Sequence, residues 1–298
     1  MGYLINNIVI TGATGYLGSR LVKRLLENGY KIHVVKRPSS IINEISSLSD
    51  NIFFYDSNPE SLDTLFKKND IDLVIHTATL YGRKGETISQ IKEANLDFPF
   101  SILERAIDAE VPYFINTGTS LPYLTNQYSL FKHQFAECLE FFSKRIVSIN
   151  ILLEHFYGPN DDESKFISNM INKMRRNVPE IPLTLGTQSR DFIYIDDVLD
   201  AYILIINKIS RFKFFNNVPL GTGKAETIRS VVETIKEISN SISHLNFGAI
   251  DMRDNELLKS DADISVLKQL NWYPKYSLRE GLNIIISDSK KDETQGKN

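Results

Sequence analysis

Eight residues near the N-terminus, Thr11-Gly12-Ala13-Thr14-Gly15-Tyr16-Leu17-Gly18, constrain the fold more than any other stretch of the chain. Before them, residues 8–11 form a short apolar run that reads as a buried strand. After them, residues 16–28 place Leu17, Leu21, Val22 and Leu25 on one face of a helix that Gly29 stops. Gly12 permits a tight turn, Gly15 lets an anion approach the backbone, and Gly18 lets the helix pack on the strand. The free N–H groups of the helix N-terminus then face that anion. A glycine triplet alone is weak evidence. Between a strand and a helix it is the signature of a dinucleotide diphosphate site. Gly12, Thr14, Gly15, Tyr16 and Leu17 are its expected contacts.

Further apolar runs at 32–35, 52–55, 73–77, 113–116 and 146–153 are separated mostly by helical stretches. That alternation implies an α/β fold, a doubly wound parallel sheet of Rossmann type covered on both faces, with right-handed crossovers. After Gly158-Pro159 the pattern changes to a polar loop at 160–163, a helix at 166–177, a strand at 192–195 and a helix at 197–208. The remainder mixes short elements and reads as a smaller α/β substrate lobe over the sheet's C-terminal edge, where open α/β sheets bind ligands. The expected division is 1–157 with roughly 186–215 for the dinucleotide domain, 158–185 with 216–287 for the lobe, and 288–298 as a disordered polar tail.

The bulk composition narrows the partners. A formal charge of −3, from 34 basic and 37 acidic residues, gives no reason to expect nucleic acid. No apolar run approaches a membrane span, and the first residues read as a strand, not a leader peptide. The lone cysteine, Cys138, fits a reducing compartment, so a cytoplasmic location is expected. The five histidines show no metal-ligand spacing, and no metal is expected.

The strand at 32–35 runs into Lys36 and Arg37. Proteins that prefer NAD carry an acidic residue about 20 positions past the glycine turn, to bond the ribose 2′-hydroxyl. Two cations there suit a 2′-phosphate, so NADP(H) is expected; the other reading is that both are solvated surface charges. Asp56 is either a contact to the adenine amino group or a turn carboxylate.

Tyr128 and Lys132 stand four residues apart, on one face if helical. A phenol makes a useful acid–base near neutrality only when a neighbouring cation lowers its pKa. The pair is common by chance. Here it follows a strand at 113–116 and a polar turn, Thr117-Gly118-Thr119-Ser120, whose hydroxyls could hold a carbonyl oxygen.

Together these residues resemble the extended short-chain dehydrogenase/reductase family in its sugar-nucleotide epimerase/dehydratase branch, from the glycine turn to about Gly281. The resemblance implies that Tyr128 is the catalytic acid–base, that Lys132 lowers its pKa and holds the nicotinamide ribose, and that Thr119 completes a triad. Ala78, Thr79, Asn95, Thr117 and His155 fall at positions that line the cofactor or support it. Tyr81, Thr119, His155, Lys165 and Phe166 are expected at the substrate, with Arg190 and Arg253 reaching its diphosphate. Two positions depart from the branch. Dehydratases carry an Asp-Glu pair after the catalytic Thr; this chain has Ser120 and Leu121, so dehydration is not expected. His155 stands where many relatives have Asn.

The wording of residues 152–167, 189–198 and 247–256 is most similar to 4-ketoreductases of CDP-activated deoxysugars in the same branch. The expected reaction is therefore NADPH-dependent reduction of the 4-keto group of a CDP- or dTDP-linked 4-keto-6-deoxy or 3,6-dideoxy sugar, of the kind built into surface polysaccharide. The alternatives are a 4-epimerase on the same apparatus and, from another class, a non-catalytic NADP(H)-binding regulator. A homodimer is expected through apolar helical faces at 102–107 and 131–142.

Overall fold

A computed structural model describes residues 4–253 and 256–295, with side chains described over that range except at 43–44 and 288–295. The chain divides into two compact units: Met1–Leu153 with Tyr202–Val218, and Glu154–Ala201 with Pro219–Asn298.

In the first unit the order is β1 Asn7–Thr11, α1 Tyr16–Glu27, β2 Lys31–Lys36, α2 Asn43–Ser46, β3 Ile52–Asp56, α3 Pro59–Lys68, β4 Leu73–His76 and α4 Ile88–Lys92. A π-helical turn at Glu93–Asp97 leads into α5 Phe98–Asp108, β5 Tyr113–Thr117, α6 Gln127–Phe141 and β6 Val147–Leu153. With β10 (Phe215–Leu220), these strands form a seven-stranded sheet in the order β10-β6-β5-β4-β1-β2-β3. Strands β1 to β6 pair in parallel. The order reverses between β1 and β4, the switch point where open α/β sheets bind ligands.

Burial on both faces explains the run-like strands: Ile8, Val9, Ile10 and Thr11 are all fully buried. The register places Thr11 beside His76 and His76 beside Asn116. The segments that follow β1, β4 and β5 therefore leave the sheet at one edge: the glycine turn, Ala78-Thr79 and Thr117–Thr119.

Most of the apolar side chains on the faces expected to pair in a homodimer are core, while Phe141 is exposed. Ile102, Leu103, Ala106 and Ile107 of α5, and Phe135 and Leu139 of α6, are buried in one cluster with Val74 and Phe114 of the sheet. An amphipathic stripe reports that a helix is covered, not by what.

The second unit holds β7 His155–Tyr157, α7 Phe166–Arg175, β8 Glu180–Leu183, β9 Ser189–Tyr194 and α8 Ile195–Asn207, the last continuing into the first unit. It continues with β11 Ala225–Thr227, α9 Ile228–Ser239, β12 His244–Phe247, β13 Lys259–Ser260, α10 Ser265–Gln269 and α11 Leu278–Gln295. Residues 186–201, expected with the dinucleotide domain, belong here because β9 pairs with β7, β11 and β13 and not with the large sheet. The carboxylate of Asp191, fully buried on β9, ties this unit together. It accepts from the Thr222 hydroxyl (2.6 Å) and from the backbone N–H groups of Thr222, Gly223 and Ala262. The expectation of a disordered tail from 288 is corrected as far as 295, where α11 ends. Among the described residues, no helix is long and apolar enough to cross a membrane.

Candidate active site

The glycine turn is built for close approach. Gly12 has φ +74, and a Cβ on it would lie 2.5 Å from the Ala78 amide nitrogen. A Cβ on Gly18 would lie 2.1 Å from the Gly12 carbonyl oxygen. No other residue fits either place. The Gly15 N–H donates to the Gly12 carbonyl at 2.9 Å, closing the turn. Helix α1 begins at Gly15 in extended conformation without a side-chain cap and with no acidic residue in its first turn. Its leading N–H groups therefore suit a diphosphate. Thr14 and Gly15 are exposed, Tyr16 is half-buried, and Leu17 is buried so that only its backbone can serve. These residues fit a dinucleotide.

At the tip of β2, Lys36 sits opposite Asp56 in the β2/β3 register, and its Nζ lies 2.6 Å from Asp56 Oδ1. The carboxylate neutralises one of the two cations expected at a 2′-phosphate. Arg37 is exposed.

Helix α6 starts at a capping box. Asn126 Oδ1 accepts from the Ser129 N–H at 2.9 Å, and Ser129 Oγ accepts from the Asn126 N–H at 3.1 Å. This fixes the first turn, which carries Tyr128, and sets Lys132 one turn later on the same face. Both are buried. The Thr119 and Thr79 hydroxyls stand beside the Tyr128 hydroxyl. Burial raises its pKa above the usual phenol value, while those two hydroxyls and the Arg83 charge act the other way. Lys132 Nζ donates to the Thr117 carbonyl at 2.8 Å, and burial brings its pKa down to about 7. The Thr117 hydroxyl is 2.7 Å from Tyr202 Oη. The Tyr81 ring packs 5.0 Å from the Tyr128 ring.

Asn95, one of the residues expected to line the cofactor or support it, is enclosed by protein. It is fully buried, and its amide clamps the 79–80 segment. Its Nδ2 donates to the Leu80 and Ile91 carbonyls at 2.8 Å each, and its Oδ1 accepts from the Thr79 hydroxyl at 2.9 Å. It orients Thr79, which in turn touches Tyr128. Sequence reading missed Thr79 as a partner of the phenol and Asn126 as the cap. An Asn three residues before a Ser at the start of an apolar helical run was the available signal for the cap. His76 was missed too: it is fully buried, with Nδ1 2.7 Å from the Thr11 hydroxyl.

Within the second unit, Arg190 is buried and donates to Glu256 Oε1 at 2.5 Å and to the Ser189 carbonyl at 2.8 Å. The Phe192 ring is flanked by His155 at 5.7 Å and by Phe166, stacked at 6.4 Å. His155 Nδ1 lies 3.4 Å from Glu154 without a hydrogen bond, and the buried Glu154 carboxylate accepts from Ser260 Oγ. Lys165 pairs with the buried carboxylate of Asp161 at 2.9 Å. Arg253 is exposed, and Asp254 beside it lies outside the described residues.

A glycine turn at a switch point, with a buried tyrosine and lysine at the same sheet edge, defines a dinucleotide-dependent oxidoreductase. Residues 8–216 match the family described as NAD dependent epimerase/dehydratase. CDP-abequose synthase of Salmonella muenchen is 32% identical over 94% of this chain and 97% of its own length. The UDP-glucuronic acid 4-epimerase of Bacillus cereus, solved with UDP-glucuronic acid and NAD, gives a TM-score of 0.83 at 24% identity, covering 96% of this chain and 99% of that one. The UDP-glucose 4-epimerase of Thermotoga maritima, solved with UDP-glucose, gives 0.82 at 24% identity, with 96% and 99% covered. The chain belongs to the NAD dependent epimerase/dehydratase family.

The expectation of NADP(H) is corrected. Several solved structures of this fold, the Bacillus cereus enzyme and a Thermus thermophilus UDP-glucose 4-epimerase among them, hold NAD. The Lys36–Asp56 pair acts in the same direction, since one of the two cations read as phosphate partners already has a carboxylate.

Proposed function

We propose that this oxidoreductase, with NAD(H) at the glycine turn, interconverts hydroxyl and ketone at C4 of a nucleotide sugar. The observation that carries the reading is the buried Tyr128 hydroxyl, set beside the Thr119 and Thr79 hydroxyls and one helical turn from Lys132. NAD(H), when bound, supplies the hydride acceptor and donor. Tyr128 Oη takes the proton from the C4 hydroxyl as that carbon is oxidised, and returns it as the ketone is reduced. Thr119 Oγ1 holds the same oxygen. Lys132, one helical turn along, has its pKa brought down to about 7 by burial and can carry charge near neutrality. Ser120 and Leu121 offer no carboxylate, so elimination of water has no general acid or base there.

The cofactor correction removes the argument for net reduction, which rested on NADP(H). With NAD the reading is 4-epimerisation, in which hydride removed from C4 returns to the other face and no cofactor is consumed. One observation favours a second reading, net reduction of a 4-keto deoxysugar: the 32% identity to the Salmonella muenchen CDP-abequose synthase over nearly the whole of both chains.

The test offers CDP-, UDP-, dTDP- and GDP-sugars, and their 4-keto-6-deoxy forms, with NAD or NADH, and identifies products by NMR. A C4 epimer without NADH accumulation supports the first reading. NADH consumed one-for-one with a 4-keto sugar supports the second. Tyr128→Phe should slow either by about 10²–10⁴-fold while NAD still binds. Full turnover in that variant overturns both.

A further inference from the structure

We propose that Arg83 is a positioning residue for Tyr128: stacked on Tyr81, it holds a second positive charge beside the phenol from the loop that follows β4. The guanidinium carbon lies 4.9 Å from the Tyr81 ring centroid, and the Tyr81 ring lies 5.0 Å from the Tyr128 ring. Cation, ring and phenol thus lie in series, with the two rings tilted by 43° to each other.

The loop is shaped for this. At its start, Asn95 clamps Thr79 and Leu80. At its end, Thr87 and Gln90 form a capping box on α4. Between them Gly82 has φ +71, and a Cβ there would lie 2.6 Å from Ile91 Cδ1. Only glycine lets the chain double back over Ile91 and bring Arg83 onto Tyr81.

The groups around the phenol leave Arg83 a clear part. From its own helix, Lys132 turns its ammonium to the Thr117 carbonyl. From β4, His76 is held by Thr11. The turn after β5 contributes the Thr119 hydroxyl, and the loop contributes the Thr79 hydroxyl, Tyr81 and Arg83. Ile91 of α4 and Leu96 of the π-helical turn add only apolar surface. The Glu86 carboxylate, on the same loop, accepts from the Lys84 N–H at 2.7 Å. Arg83 is exposed, so its charge acts through partly solvated surroundings and its effect is modest.

The inference rests on Tyr128 as the proton carrier, so the test reads that phenol directly. Tyrosinate ultraviolet absorbance is titrated in the whole chain, and each protein is subtracted from its own Tyr128→Phe counterpart. Arg83→Gln should raise the midpoint by about half a pH unit, and the rising limb of the pH–rate profile should move with it. The ionised fraction at a fixed pH below the midpoint then falls about three-fold. Arg83→Lys should keep the wild-type midpoint. An unchanged midpoint in Arg83→Gln, or an equal shift in Arg83→Lys, overturns the inference. A shift in Arg83→Gln alone, in a protein that turns over no nucleotide sugar, supports the inference and overturns the C4 chemistry.

Discussion

Replacing Lys132 by Met should stabilise the protein near neutral pH and abolish its chemistry. Lys132 is 2% exposed and its ammonium meets a carbonyl, not a carboxylate. Its pKa falls from 10.5 to about 7, which sets about 4–5 kcal/mol against the charged form at low pH. Met has a similar length and no charge to bury. It loses the bond to Thr117, a cost of about 1 kcal/mol. The net gain is about 3 kcal/mol at pH 7, or roughly 6–12 °C in melting temperature for a unit of this size. The sign follows from linkage. The folded-state pKa lies below the unfolded one, so the unfolded chain binds the extra proton between about pH 7 and 10.5. The penalty is full below pH 7 and gone above 10.5. Thermal melts of both proteins without cofactor, from pH 6 to 10, should therefore converge as pH rises. A variant that melts lower throughout, or by an offset that does not change with pH, would refute the claim that Lys132 is an uncompensated buried cation held for function.

Other outcomes follow from the same geometry. His33 is buried against Phe53 and Tyr55, and both its ring nitrogens lack a partner. Burial lowers its pKa to about 4, so it contributes stability above about pH 6.5 that is lost as the pH falls toward 4; His33→Phe should flatten the acid limb of the stability–pH curve measured by urea unfolding. Asp56→Asn should release Lys36 from its 2.6 Å pair and raise affinity for NADPH relative to NADH by a few-fold; calorimetric titration with both would detect it, and an unchanged ratio would show that the pair does not set the preference. Gly12→Ala sets a Cβ 2.5 Å from the Ala78 nitrogen at φ +74, and NAD binding should be lost with a fall in melting temperature of several degrees.

The parts of the fold and site legible in the sequence were those written in local pattern. The glycine turn, six of the sheet's strands and the spacing of Tyr128 and Lys132 each need only neighbours in sequence. What was not legible depended on distant partners. Lys36 and Asp56 are brought together only by the β2/β3 register, so a scan along the chain saw two bare cations. The stripes on α5 and α6 read the same whether a sheet or a second subunit covers them, and here Val74 and Phe114 do. Strand β9 looked like an addition to the large sheet because its partners β7, β11 and β13 are scattered from 155 to 260. Arg83 belongs to no motif; its place on Tyr81 depends on how Gly82 turns the loop.

Hydride transfer at C4 is most directly tested with nucleotide sugars carrying deuterium at that carbon. With NAD bound, turnover should slow relative to the protiated sugar, and the label should pass only between C4 and the cofactor. Deuterium released to water, or turnover with no isotope effect and the label untouched at C4, would contradict it.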